Sequence, residues 1–100
     1  MPKPPTKATL DRYGLTLAAW KRLAPKDDVC PICTQVKEKW HIDHHHERGW
    51  GQMAPQQRVL FVRGIVCARC NMRYLPRGIN ARIARNIADY LDRFEARNAT

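Results

Sequence analysis

The chain has 100 residues and a mass of 11.6 kDa, room for one compact domain but not two. Eighteen Lys plus Arg against nine Asp plus Glu leave a net charge of +9 and a pI near 10.0, so the surface draws polyanions and nucleic acid is the first partner to consider. No run approaches the roughly 18–20 apolar residues of a membrane span, and the opening residues offer no apolar stretch for a signal peptide, so a cytoplasmic protein with no membrane partner is expected.

Residues 1–8 hold three prolines and two lysines and read as a flexible basic arm ahead of a single domain over 9–100. Leu10, Tyr13, Leu17 and Trp20 recur at helical spacing; Gly14 interrupts them, and Thr16 can cap a helix running to about Ala24. Pro25 stops that helix, and Lys26-Asp27-Asp28 supplies a turn before Cys30-Pro31-Ile32-Cys33. Residues 38–46 read as a strand, with Trp40, Ile42 and His44 on one face and His41, Asp43 and His45 on the other. Residues 47–57 form a long polar loop of the kind used for binding. Val59-Leu60-Phe61-Val62 predicts a second strand, and Cys67-Ala68-Arg69-Cys70-Asn71 a helix start. Ile83, Ile87, Leu91 and Phe94 predict a terminal amphipathic helix over about 80–97.

Two CxxC pairs, Cys30/Cys33 and Cys67/Cys70, each present two sulfurs from one tight turn, and together they make up a tetrahedral four-cysteine zinc site. Disulfides are disfavoured in a reducing cytoplasm, and a thioredoxin-like redox centre needs only one such pair. A shell filled by four thiolates leaves no position for water or substrate, so this zinc is expected to staple the fold and not to catalyse.

All four histidines fall in His41-Ile42-Asp43-His44-His45-His46, around one carboxylate. A solvated strand end would account for one histidine; four suit a divalent-cation site with a proton acceptor. A carboxylate oxygen takes a hard ion such as magnesium, and a neutral imidazole accepts a proton from water. Together they suit metal-assisted hydrolysis of a phosphodiester. A regular strand turns Asp43 and His44 to opposite faces, so their joint use requires a bulge or fray between them. Asn71 by its spacing alone reads as a helix-start cap. Four arginines and no acid lie between Arg58 and Arg73, and Arg63, Arg69 and Arg73 are candidate phosphate contacts. No element carries Asn, Gln and Arg together on a base-reading face, so charge and backbone shape are expected to dominate binding.

Cys30-Pro-Ile-Cys33, His41-Ile-Asp43-His44-His45-His46 and Val62-Arg63-Gly64-Ile65-Val66-Cys67-Ala-Arg-Cys70-Asn71, in that order, resemble the recombination endonuclease VII family of phage HNH nucleases. Tyr13-Gly14-Leu15-Thr16 is similar as well. The resemblance implies a small α+β fold: a zinc-stapled ββα-metal (HNH, His-Me finger) core with flanking N-terminal and C-terminal helices. It implies a DNA endonuclease using catalytic magnesium or manganese, with a Holliday-junction-like preference for branched or distorted DNA; a homodimer is left open by it. By resemblance Asp43 and Asn71 hold the catalytic ion, His44 is the general base and His46 a further functional histidine. His41 and His45 remain for DNA contact or for orienting their neighbours. An acidic residue that the best-known member has three positions after the asparagine is Tyr74 here. The competing readings are a non-catalytic zinc-ribbon module that binds nucleic acid and a metal-dependent RNase.

Overall fold

The structure, a computed structural model, describes residues 1–98. Within residues 1–8, expected as a mobile arm, Pro2 is buried and the first helix already starts. That helix, α1 (Lys7–Arg12), and the next, α2 (Leu17–Leu23), are each begun by a threonine whose hydroxyl accepts a backbone N–H three residues on: Thr6 from Thr9, Thr16 from Ala19. Gly14 separates them at φ +70°, and a Cβ there would overlap the Pro55 carbonyl oxygen. Both the left-handed backbone and the close approach require glycine. Gly14→Ala is expected to cost at least about 2 kcal/mol, read as a lowered denaturation midpoint at unchanged m-value.

The strand β1 (Trp40–His44) pairs antiparallel with β2 (Val62–Cys67) in a two-stranded sheet. The long connection between them holds α3 (Pro55–Arg58), flanked by single 3₁₀ turns at Trp50–Gln52 and Val59–Phe61. The second strand was expected over Val59–Val62, but Val59–Phe61 winds helically and pairing starts at Val62. The physical reason lies in the partner: β1 ends at His44, opposite Val62, and past it His45 N donates to the Phe61 carbonyl at 2.7 Å, where pairing gives out, so Val59 and Leu60 have no ladder to join. The helical turn of α3 carries on into them instead.

Directly after β2 comes α4 (Ala68–Tyr74), which packs on both strands, and then α5 (Ala81–Arg97), capped by Asn80 Oδ1 accepting from Ile83 N at 2.9 Å. The described residues form a small α+β fold with one two-stranded sheet and five α-helices, none long and apolar enough to cross a membrane. One core cluster joins Leu10, Leu15, Trp20, Ala24, Ile42 and Ile65, tying the helical hairpin to the sheet. A second consists of Cys30, Val66, Cys67 and Cys70, and Trp40 packs against both. The amphipathic pattern of α5 is present, yet Ile87, Leu91 and Phe94 are about half exposed, so this helix adds little to either cluster.

Candidate functional site

The four cysteine sulfurs lie within 4.8 Å of one another, close to the ~3.8 Å spacing that a tetrahedral ion with ~2.3 Å Zn–S bonds would impose. Cys30, Cys67 and Cys70 are buried and Cys33 half-buried, and none is in a disulfide. The turns point backbone donors at sulfur: Ile32 N and Cys67 N donate to Cys30 Sγ at 3.4 Å, and Cys70 N donates to Cys67 Sγ, which thereby caps α4. Burial pushes the Cys30 thiol up, but the N–H groups of Cys67, Cys33 and Ile32 outweigh it and bring the thiol down to about 6. Burial and hydrogen bonding within the cluster push Cys70 up to about 12. Four sulfurs this close do not all ionise without a cation between them, and the donor set is one that zinc takes.

Pairing in the sheet shifts register between Asp43 and His44: Asp43 faces Gly64, His44 faces Val62, and Arg63 is the extra residue. The expected irregularity is therefore present, with the additional residue carried by β2. A bulge re-aims the side chains around it. Here the guanidinium of Arg63 meets the carboxylate of Asp43 in a two-pronged contact, Nε to Oδ2 at 2.7 Å and a terminal nitrogen to Oδ1 at 2.8 Å. Asp43 is 4% exposed, so its charge needs this partner, whereas the Arg63 side chain is about a third exposed. Arg63, expected to face phosphate, is engaged with Asp43. Arg63→Ala is expected to destabilise by roughly 3 kcal/mol, the low end for a broken buried pair because water can reach the vacated side, and chemical denaturation measures it.

His44 closes β1 and sits in a group of rings. Its imidazole stacks on the indole of Trp50 at 4.3 Å between centroids and 20° between planes, with His46 at 4.9 Å and Tyr13 at 5.7 Å. Burial, then the neighbouring His46, lower its pKa below the ordinary 6.5, against the pull of Asp43. The ring is a neutral proton acceptor at neutral pH. His45 turns outward, near Glu47 Oε2 at 3.4 Å and beside Phe61.

On α4, Asn71 Nδ2 lies 3.1 Å from His41 Nδ1, so this amide pairs through its nitrogen and not through its Oδ1. Asn71 and His41 line a cavity of about 320 Å³ together with Tyr13 and Trp20. Asp43 and Arg63 line another, open cavity of about 500 Å³ together with Ile65, Leu75, Ile79 and Ala84. The two residues expected to share an ion thus line different cavities, each with its own partner. Arg69 and Arg73 are exposed on α4.

Sequence reasoning missed Tyr13, Trp50 and Arg58. Tyr13 reads as a core aromatic from its spacing, and Arg58 as one charge among many. Trp50 did leave a signal: a large aromatic between Gly49 and Gly51, in a polar loop with no periodicity to bury it.

A family model described as recombination endonuclease VII matches residues 6–93, most of the chain and all of the site. No curated protein and no solved structure gives a match.

Proposed function

The chain belongs to the recombination endonuclease VII family, and from that premise we propose that it is a metal-dependent HNH endonuclease cleaving DNA, branched or distorted DNA foremost. In this reading residues 9–100 act as one nuclease domain, with β1, β2 and α4 as a ββα-metal core and Cys30, Cys33, Cys67 and Cys70 holding a structural zinc. The family is one of nucleases acting on DNA, which fits a chain of net charge +9. The single observation that carries the reading is the His44 imidazole next in sequence to the buried carboxylate of Asp43, at the register shift of the sheet.

His44 takes a proton from water as the water oxygen attacks phosphorus in line with the leaving 3′-oxygen. His46, 4.9 Å from His44, contacts the attacked phosphate or assists the leaving oxygen. Asp43 and Asn71 would hold magnesium or manganese through oxygen atoms, the donors that such hard ions take, with the ion replacing the Arg63 guanidinium at the Asp43 carboxylate and freeing Arg63 for phosphate. The Arg63 guanidinium already marks Asp43 as a carboxylate that is buried only with positive charge beside it. When bound, the ion supplies charge neutralisation at the phosphate and the leaving oxygen. His41 orients the Asn71 amide by engaging its nitrogen, leaving Oδ1 for that ion. Arg63, Arg69, Arg73 and the outward His45 supply charge along the DNA backbone, which positions the duplex without reading its sequence.

The test is cleavage of linear, nicked and four-way-junction DNA, and of matched RNA, with and without magnesium or manganese. Metal-dependent DNA cleavage that His44→Ala loses is the expected result. DNA retention without cleavage would instead identify a zinc-stapled binding module, and preferential RNA cleavage an RNase.

A further inference from the structure

We propose that Trp50, clamped by Arg58, is a positioning residue that fixes the ring plane of His44. The inference rests on His44 being the general base, as argued above. His44 is the last residue of β1 and follows the register shift, so the ladder alone does not hold its ring in one orientation. The indole does so from outside the sheet, 4.3 Å away and 20° from parallel. Tyr13 lies 5.4 Å from Trp50 and 5.7 Å from His44, making a three-ring group.

Trp50 in turn is held from several sides. The Arg58 guanidinium lies 4.6 Å from the indole centroid, and its nitrogens donate to the backbone carbonyls of Trp50, Gly51 and Arg12 at 3.2, 2.7 and 3.0 Å. One side chain thereby joins the 3₁₀ turn of the loop to the end of α1. Gly14 permits the approach of α3 on the same side, since a Cβ there would strike Pro55. Finally, Trp50 Nε1 is buried with no hydrogen-bond partner among the described residues. A buried unpaired donor destabilises a fold, so the indole is held here by the stack on His44 and the Arg58 clamp and not by its own hydrogen bonding. General-base catalysis depends on ring orientation, because a displacement of about 1 Å can cost on the order of 100-fold in rate.

The experiment compares Trp50→Phe, Trp50→Leu and Arg58→Lys in the full, zinc-loaded chain, using kcat and KM on DNA with manganese. Nuclear magnetic resonance of the carbon-bound imidazole protons of His44 is recorded in parallel without DNA. An aromatic ring stacked on His44 shifts those protons upfield. Trp50→Leu should remove most of the shift, leaving the smaller contributions of Tyr13 and His46, and lower kcat roughly 10- to 100-fold with KM within about twofold of the unsubstituted protein. Trp50→Phe should keep an upfield shift and most of kcat. If Trp50→Leu does not hold its fold, Arg58→Lys carries the test: it keeps a cation near the indole but loses the fork to three carbonyls, and kcat should fall at unchanged KM. Unchanged kcat in whichever of the two variants is folded overturns the positioning role, as does a Trp50→Phe protein as slow as Trp50→Leu. His44→Ala cleaving at the full rate overturns the underlying assignment of the base and the inference with it. The imidazole shifts would still report the stack, so the two failures are distinguishable.

Discussion

His44→Ala is expected to cleave DNA roughly 100-fold or more slowly than the unsubstituted protein, the usual contribution of a positioned general base. The loss should fall on kcat. Zinc content and DNA affinity should stay nearly unchanged, since the cysteine cluster does not include His44 and the exposed arginines that meet the DNA backbone are untouched. The same assignment sets the pH dependence. Burial, then the charges of His46, Arg63 and His45, outweigh Asp43 and hold the folded pKa of His44 below 6.5. A base works only when unprotonated, so the rate should be on a plateau at and above pH 6.5 and fall as pH drops through the lowered value. The stability term has the same sign: the unfolded chain binds the proton more readily, so this contribution is complete above about 6.5 and is lost as pH falls toward the folded pKa. A pH–rate profile with single-turnover kinetics checks both the magnitude and the limb. Unchanged cleavage by purified His44→Ala, with a mock purification to exclude host nucleases, would show that another group is the base.

Removing the metal from the cysteine cluster should have the largest effect on stability. The four cysteines are not an appendage to a complete core: Cys30, Cys67 and Cys70 with Val66 are the second core cluster, and they connect the knuckle to β2 and α4. Without an ion, three buried sulfurs remain with little apolar packing to hold them. Structural zinc contributes apparent free energies on the order of 10–16 kcal/mol in small zinc domains, as large as the whole stability of about 5–15 kcal/mol expected of a chain this size. Elemental analysis should find one zinc per chain. A chelator should convert cooperative thermal unfolding, followed by circular dichroism, into a broad or absent transition that added zinc restores. A fold that stays intact with no tightly bound transition metal would overturn the zinc assignment.

The family was legible from ordered motifs over residues 30–71, and the family match over 6–93 bears that out. The cysteine cluster was legible too, because each CxxC forms within one tight turn and only the meeting of two turns is left to the fold. The helix start at Thr16 was readable for a related reason: a cap is a bond between neighbours three residues apart. The start of the second strand was not, since Val59 and Leu60 are strand-forming residues that lie past the end of β1, where pairing gives out at Phe61. The terminal helix was readable from its period, whereas the exposure of its apolar face was not.

Features encoded within about one turn of chain are local and can be read without the fold: the two metal knuckles, the caps, the glycine break at position 14 and the group of histidines around Asp43. What those groups touch depends on the assembled molecule. Arg63 reaches Asp43 across 20 residues of sequence because the sheet slips register between Asp43 and His44 and re-aims the extra residue. In a period-two element a one-residue slip exchanges the faces, so no local pattern foretells that contact. Trp50 stacks on His44 in a loop that Arg58 ties to α1 through carbonyls of both, 46 residues apart along the chain in the case of Arg12. Such contacts depend on chain closure and packing density, which are properties of the whole fold and not of any segment of it.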